Sequence, residues 1–179
     1  MSLYFAYASN MLRERLLVNN ISLAFVTIAK LRNYRLRFAR HPNWPADTVW
    51  KGAMATIDRS QGDCVWGVVL KLNKADLPRL DEQETVNKGF YRRLDPVTVA
   101  SPEPVSEDLP CFTYQMVDPI FDKKPSPHYL KIIRAGASQQ RLPADYQQVL
   151  TMVQHNRYDG PLPLFDTIMK NVHFDNDSS

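Results

Sequence analysis

The amino-acid sequence predicts a protein of the α+β class, with strands in its first two thirds and helices after them. Up to about residue 117, apolar segments are short, rich in β-branched residues or alternate with polar residues, as strands do. After Pro127, apolar residues recur at the longer period of helices. Strands followed by helices are typical of α+β proteins, and such a sheet can curl into a small barrel. The 179 residues, 44% of them apolar, are enough for about one domain with a sizeable core.

The N-terminal part supplies five predicted strands and one short helix. Residues 3–7 form a strand that stops at Ser9 and Asn10, either of which could cap a brief helix over residues 11–17. The other strands of this part are predicted at residues 21–31, 34–38, 49–59 and 63–72. Residues 60–62, Ser-Gln-Gly, separate the last two strands, and their turn chemistry predicts a β-hairpin.

The remaining elements follow from caps and breakers. Asn73 is a candidate cap for a helix over residues 74–84, and Gly89 interrupts the pattern after it. Two more strands are predicted at residues 90–100 and 110–117, and two helices at residues 129–137 and 144–155. Residues 171–179 are polar and predict a frayed C-terminal tail. The sequence therefore predicts a single domain over residues 1–170.

The charge balance limits the classes of partner. The chain has 22 basic and 19 acidic residues and a formal net charge of +3, which excludes a strongly basic nucleic-acid binder of the simplest kind. A local basic patch stays open at Lys30, Arg32, Arg35, Arg37 and Arg40. Alternate members of this set would share one strand face, which favours a solvated sheet edge. We expect no nucleic-acid partner.

Cysteine and apolar patterns point to a reducing, cytoplasmic setting. Cys64 and Cys111 each lie in an apolar, β-rich segment, which predicts buried free thiols. Neither belongs to a CxxC pair or lies near a histidine in the sequence, so no metal or redox motif is present. No signal peptide, membrane-spanning segment or nucleotide-binding glycine pattern occurs in the sequence. We therefore expect no metal, no cofactor and no membrane association.

An acidic segment is the first candidate site. Asp81, Glu82 and Glu84 place three carboxylates within four positions at the end of the predicted helix. Asp81 and Glu84 are i,i+3 neighbours of like charge, and both face the negative end of the helix dipole. Both effects raise the pKa of a carboxyl group toward that of a useful general base. The alternative is a solvated acidic corner.

The N-terminal strand end is the second candidate site. Tyr7, Ala8, Ser9 and Asn10 join the first strand to the first helix. A strand that ends in small polar residues before a helix presents free backbone N–H groups, which suit an anionic ligand such as a carboxylate. The alternative is an ordinary strand–helix turn without a ligand.

These segments resemble a known family. Residues 3–11, LYFAYASNM, are similar to the YGSN loop of the γ-glutamylcyclotransferases. Further matches follow in the same order, at VWGVV (65–69), LDEQE (80–84), GFY (89–91) and PSPHY (125–129). The resemblance covers roughly residues 3–158 and is nearer to the dipeptide-acting branch than to the glutathione-specific or γ-glutamylamine-acting branches. It implies a small mixed β-barrel with flanking helices, and a homodimer.

The resemblance also implies a reaction and its residues. The α-amine of a γ-glutamyl group attacks its own γ-carbonyl, which forms 5-oxoproline and releases an amino acid without metal or cofactor. The general acid/base of the family falls on Glu84, whereas spacing alone leaves Asp81 and Glu82 open. The substrate-binding loop of the family falls on Tyr7, Ala8, Ser9 and Asn10.

Two tyrosines match the family, and one residue of the N-terminal loop differs from the family motif. Tyr91 and Tyr129 match tyrosines that line the family's pocket, and a core role without substrate contact is the alternative. Ala8 stands where the family motif has glycine. If this position needs positive φ, alanine costs about 1 kcal/mol; if substrate approaches the backbone here, the methyl group intrudes. The alternative function is therefore a catalytically impaired member that keeps the pocket for ligand binding or regulation.

Overall fold

The computed structural model describes residues 2–102 and 106–172, so the predicted tail lies outside the described residues from residue 173 onward. In this part of the chain, five strands close into a barrel in the order β1-β3-β2-β4-β5. The strands are β1 (Ser2–Ala6), β2 (Leu23–Ala39), β3 (Met54–Leu72), β4 (Tyr91–Ala100) and β5 (Asp108–Met116). β1 pairs parallel with β5 at Tyr4 and Phe112, and the other pairs are antiparallel. The predicted mixed barrel is confirmed.

Helices flank the barrel. They are α1 (Arg13–Leu17), α2 (Leu77–Gln83), α3 (Pro127–Gln139), α4 (Ala144–Thr151) and α5 (Pro163–Met169). Short 3₁₀ turns precede α1 at Ser9–Met11 and α2 at Lys74–Asp76. The predicted cap is confirmed at Asn73, whose side chain accepts a hydrogen bond from the N–H of Ala75 at 3.3 Å. The sequence analysis missed α5, a seven-residue helix that begins at Pro163.

The predicted hairpin at residues 60–62 is wrong, because both arms of β3 pair with β2. The register runs from Arg32 opposite Cys64 to Tyr34 opposite Arg59, so the residues between are a bulge in one long strand. Gly62 has a φ of 86°, and its N–H donates to Oδ1 of Asn33 at 3.1 Å. Residues with positive φ occur in bulges as well as in hairpin turns. The two are distinguished only by whether the flanking segments pair with each other or with another strand.

Several local expectations change with the bulge. The two strands predicted at 21–31 and 34–38 form one strand, β2, which passes through an irregularity at Asn33. Cys111 is buried as expected, whereas Cys64, next to the bulge, is exposed and not buried. β2 pairs with β3 along its length and with β4 at Lys30, so Lys30 is not at a sheet edge, whereas Arg32 and Arg35 are exposed to solvent. Arg37 instead pairs with Asp58 at 3.4 Å.

The core joins the barrel to α3. Apolar side chains from the strands and from α3 are buried together, among them Phe5, Ile57, Val68, Phe112 and Ile132. α3 packs against the 3₁₀ turn at its glycine, where the Cα of Gly136 faces the backbone of Met11 and Leu12. Within residues 2–102 and 106–172, no helix is long and apolar enough to cross a membrane.

Candidate active site

A cavity of about 290 Å³ lies between the N-terminal turn, the end of α2 and the aromatic side chains of the barrel. The cavity is lined by every residue that the sequence analysis singled out for catalysis or substrate binding: Tyr7, Ala8, Ser9, Asn10, Glu84, Tyr91 and Tyr129. Residues from four separate parts of the chain therefore meet at one cavity.

The end of α2 delivers Glu84 to the cavity. The helix stops here because Thr85 adopts a left-handed conformation with a φ of 54°. The N–H of Glu84 still donates to the carbonyl oxygen of Leu80 at 2.9 Å, which fixes the backbone of Glu84 as the cap of the helix. The buried Leu80 anchors the same turn in the core.

The carboxylate of Glu84 is held by two amides. Its Oε1 accepts hydrogen bonds from Nδ2 of Asn10 at 2.8 Å and from Nε2 of Gln83 at 3.3 Å. Nε2 of Gln83 also donates to Oδ1 of Asn10 at 2.7 Å, which closes a small network. Among the described residues, both bonds to the carboxylate end on Oε1, so Oε2 keeps its lone pairs for a ligand.

The surroundings of Glu84 raise its pKa above the ordinary value for glutamate. Burial is the largest cause, because it disfavours the charged carboxylate. The hydrogen bond from Asn10, the charge of Arg15 and the hydrogen bond from Gln83 oppose this effect, and the nearby Asp81 adds a smaller increase. The sequence analysis expected a raised pKa from Asp81 and the helix end, whereas burial is the dominant cause.

The other acids near the segment have different surroundings. Asp81 accepts a hydrogen bond from the hydroxyl of Tyr114 at 2.7 Å and pairs with Arg93 at 3.4 Å. Glu82 is exposed. Of the three carboxylates that spacing left open, Glu84 is thus the one that lines the cavity.

The N-terminal turn presents backbone donors rather than side-chain caps. Its first internal hydrogen bond runs from the N–H of Met11 to the carbonyl oxygen of Ala8 at 3.0 Å. The N–H groups of Ser9 and Asn10 precede that bond, as the first N–H groups of any helical turn do. The predicted side-chain caps are wrong, since neither Ser9 nor Asn10 caps α1. The side chain of Asn10 reaches Glu84 and the hydroxyl of Tyr4 instead.

Ala8 has an ordinary sign of φ. Its φ is −134°, so one of the two expected costs of replacing glycine, that of a positive φ, does not arise. Ala8 lies on the cavity wall and is half-buried. The remaining effect of alanine at this position is the space that its methyl group occupies.

Both predicted tyrosines form a hydrogen bond with the backbone of one residue of β3. The hydroxyl of Tyr91 donates to the carbonyl oxygen of Ala55 at 2.7 Å, and the hydroxyl of Tyr129 accepts from the N–H of Ala55 at 3.1 Å. Burial raises the pKa of both hydroxyls, so both stay protonated near neutral pH. Each ring therefore helps to hold the barrel while one side of it faces the cavity.

Arg15 is the main cavity residue that the sequence analysis missed. It lies on α1, is only 7% exposed and lines the cavity. A signal was present in the sequence, because the helix predicted over residues 11–17 would place Arg15 four residues after the apolar Met11 and hence on the same face. Trp50 also lines the cavity, with its ring 5.8 Å from the guanidinium carbon of Arg15. In the described ranges, no cluster of His, Cys, Asp and Glu side chains could hold a metal ion.

Comparison with known proteins agrees with this geometry. Residues 64–150 match the AIG2-like family. A γ-glutamylcyclotransferase of Bos taurus is 42% identical over 158 residues, which are 88% of this chain and 81% of the relative. The Homo sapiens γ-glutamylcyclotransferase is 43% identical over the same lengths. A solved structure of a γ-glutamyl cyclotransferase has a TM-score of 0.87 and 40% identity, and the match covers 94% of this chain and 98% of that one.

The family match relates residues 64–150, which include α2, β4 and β5, to the AIG2-like class. The identity to curated relatives over most of both chains is more specific. The chain belongs to the γ-glutamylcyclotransferase family of enzymes.

Proposed function

We propose that the protein cyclises γ-glutamyl amino acids to 5-oxoproline and releases the amino acid, with Glu84 as general acid/base. The observation that carries this proposal is the Glu84 carboxylate, which has a raised pKa, lines the cavity together with the N-terminal turn and is bonded through Oε1 to Asn10 of that turn. A carboxylate of raised pKa can both accept and return a proton near neutral pH. The family membership supports the same reaction.

The reaction moves two protons from the α-nitrogen to the departing nitrogen, with Glu84 as the carrier. Glu84 accepts a proton from the α-ammonium of the substrate, which frees the nitrogen lone pair to attack the γ-carbonyl carbon. A new C–N bond closes the five-membered ring and a tetrahedral oxyanion forms. The oxyanion then collapses and the amide C–N bond breaks as Glu84 donates its proton to the leaving nitrogen. The regenerated Glu84 carboxylate removes the second proton from the ring nitrogen, which becomes the lactam N–H, and passes that proton to the released amine. The effective concentration of an amine within the same molecule is high, so no enzyme nucleophile is needed.

The N-terminal turn is suited to the oxyanion. Backbone N–H groups of Ser9 and Asn10 lie at the beginning of the 3₁₀ turn, which lines the cavity. Preorganised donors of this kind stabilise charge that develops on a carbonyl oxygen. In this proposal Tyr7, Ala8, Tyr91 and Tyr129 form the walls that bind the γ-glutamyl group.

Turnover of a γ-glutamyl dipeptide tests the proposal directly. Purified protein incubated with γ-glutamyl-alanine should release alanine and 5-oxoproline in equal amounts, measured by chromatography against a sample without protein. A protein that gives no 5-oxoproline from this substrate or from other γ-glutamyl amino acids would contradict the proposed activity.

The pH dependence of turnover reports on Glu84. The proposed base must be ionised to accept the ammonium proton, so kcat/KM should fall as the pH drops through its pKa. Because burial raises that pKa, the midpoint of the acid limb should lie above the ordinary value of 4.5 for glutamate. Rates measured with γ-glutamyl-alanine across the acid range would give the midpoint, and a midpoint at or below the ordinary value would contradict the assignment.

A second candidate function rests on Ala8. Its methyl group occupies space on the cavity wall, so a protein that binds a γ-glutamyl ligand without turnover is the competing function. Ala8→Gly should raise kcat/KM by up to about 10-fold if the methyl group crowds the substrate. Inactivity in both proteins, with binding of 5-oxoproline retained, would favour the binding function.

The stability of Ala8→Gly has its own expected sign. The φ of Ala8 is −134°, outside the left-handed region that favours glycine. Glycine would therefore add freedom only to the unfolded chain and lower the free energy of unfolding by about 0.4–1 kcal/mol. Urea denaturation of both proteins measures this, and a more stable glycine variant would mean that alanine is strained here.

We also propose a cytoplasmic location and a homodimer, both of which come from the sequence pattern and the family resemblance. Light scattering on purified protein across a range of concentrations would measure the mass of the assembly. A mass that stays at one chain at every concentration would contradict the homodimer.

A further inference from the structure

The cavity contains a buried cation that the proposed reaction does not yet use. Arg15 is 7% exposed and lines the cavity, and its Nη1 donates to Oε1 of Gln83 at 3.1 Å. Its Nε is buried without a hydrogen-bond partner in the described part of the chain. Within the same ranges, Arg15 forms no ion pair with a carboxylate.

A buried guanidinium without an ion-pair partner favours an anionic ligand. Burial of a charge is costly unless it is paired and hydrogen-bonded, and burial lowers the pKa of Arg15. The protein offers only partial compensation, from the hydrogen bond to Gln83, the ring of Trp50 and the charge of Glu84. A guanidinium also presents a planar fork of donors that matches a carboxylate with two parallel hydrogen bonds.

The position of Arg15 relative to Glu84 indicates which anion. Gln83 bridges them, since its Oε1 accepts from Arg15 while its Nε2 donates to Oε1 of Glu84 at 3.3 Å. A cation and a proton acceptor that share one bridging side chain lie within reach of one small group. The α-carbon of a γ-glutamyl group carries both an ammonium and a carboxylate, which have the matching charges.

We propose that Arg15 binds the α-carboxylate of the γ-glutamyl group and so holds the α-amine against Glu84. The inference rests on the proposed function and assigns the recognition of the substrate's amino-acid end to one side chain. Arg15 is in this sense a binding residue that orients the nucleophile. The substrate class follows as γ-glutamyl compounds with a free α-carboxylate, and not their α-amides or α-esters.

The product offers a probe that needs no turnover. 5-Oxoproline keeps the α-carboxylate but has lost the leaving amino acid and its carboxylate. Calorimetry would compare the binding of 5-oxoproline and its neutral carboxamide to the wild-type protein, to Arg15→Met and to Arg13→Met. Arg13 is exposed on the same helix, so its variant is a matched control for the change in net charge.

The wild-type protein and Arg13→Met should bind the acid about 10- to 100-fold more tightly than the carboxamide, the range for a charge-assisted contact. Arg15→Met should lose this preference and bind the carboxamide as the wild-type protein does. Arg15→Lys keeps the charge but not the fork, so it should keep part of the preference. If Arg15→Met does not fold, the acid preference of Arg15→Lys compared with that of the wild-type protein still tests the proposal.

Three results would overturn the assignment. The first is an acid preference that survives in Arg15→Met. The second is a loss of acid binding and carboxamide binding by the same factor in Arg15→Met and Arg15→Lys, as expected if Arg15 only supports Gln83. The third is a wild-type protein without an acid preference. The γ-glutamyl-alanine assay on the same preparations tests the proposed function separately. If the wild-type protein is active and any of these three results is found, the proposed reaction stands and only the role of Arg15 is refuted.

Discussion

Glu84→Gln is expected to slow the formation of 5-oxoproline from γ-glutamyl-alanine by about 10²- to 10⁴-fold, the usual contribution of a general acid–base residue. Glutamine keeps the size of the side chain and an oxygen that can accept the hydrogen bond from Asn10. It cannot take up the ammonium proton at neutral pH. Initial rates at saturating and at low substrate concentration would measure the loss in kcat and in kcat/KM.

The same substitution should not destabilise the fold. A carboxyl group whose pKa is higher in the folded than in the unfolded chain binds its proton more tightly when folded, so its ionisation costs stability. That cost is absent below the unfolded pKa and grows as the pH rises through the folded pKa. At neutral pH the Tm of Glu84→Gln should therefore equal or exceed that of the wild-type protein, and the difference should shrink in acid.

Glu82→Gln is the matched control for this experiment. Glu82 is exposed two positions away, and its substitution changes the net charge by the same amount. We expect its activity and Tm to stay close to those of the wild-type protein. Near-normal turnover by Glu84→Gln would refute the role of Glu84, and an equal loss in both variants would indicate a general effect of charge.

Local sequence patterns were sufficient to predict the helix and the strands that carry residues of the site. The helix predicted over residues 74–84 is present as a 3₁₀ turn and α2, because its cap at Asn73 depends on neighbouring residues alone. Glu84 could thus be expected at a helix end. Strand positions were also predictable, since β1, β4 and β5 follow from apolar composition within single segments.

Long-range pairing determined the features that the sequence did not predict. The residues Ser-Gln-Gly at 60–62 suit both a hairpin and a bulge, and the partner strand β2 decides for the bulge. The burial of Arg15 depends on which residues cover α1 after folding, and that cover comes from residues as distant as Trp50. The dominant cause of the raised pKa of Glu84 is burial, which no spacing within an acidic segment reveals.

Gly136→Ala should disturb both the fold and the site, because α3 packs against the N-terminal turn through this glycine. A Cβ at this position would lie 2.6 Å from the nitrogen of Leu12 and 2.9 Å from the carbonyl carbon of Met11. Both atoms belong to the backbone and cannot move aside as a flexible side chain can. Overpacking of this kind costs about 1–3 kcal/mol or more.

The gain in helix propensity does not offset this cost. Alanine favours a helix interior over glycine by about 0.8–1 kcal/mol, less than the upper part of the range for overpacking. We therefore expect a net decrease in the free energy of unfolding, measured by urea denaturation. Ser138→Ala, an exposed substitution in the same helix, should change that free energy by no more than about 0.5 kcal/mol.

Activity separates a shifted turn from simple destabilisation. If the added methyl group pushes the N-terminal turn away from α3, Asn10 moves with the turn, and its 2.8 Å hydrogen bond to Glu84 is disturbed. Gly136→Ala should then lose kcat/KM at temperatures where the variant is fully folded. An unstable variant with full activity would mean that the strain is relieved at α3, whereas loss of both indicates that the helix holds the turn and the carboxylate in register.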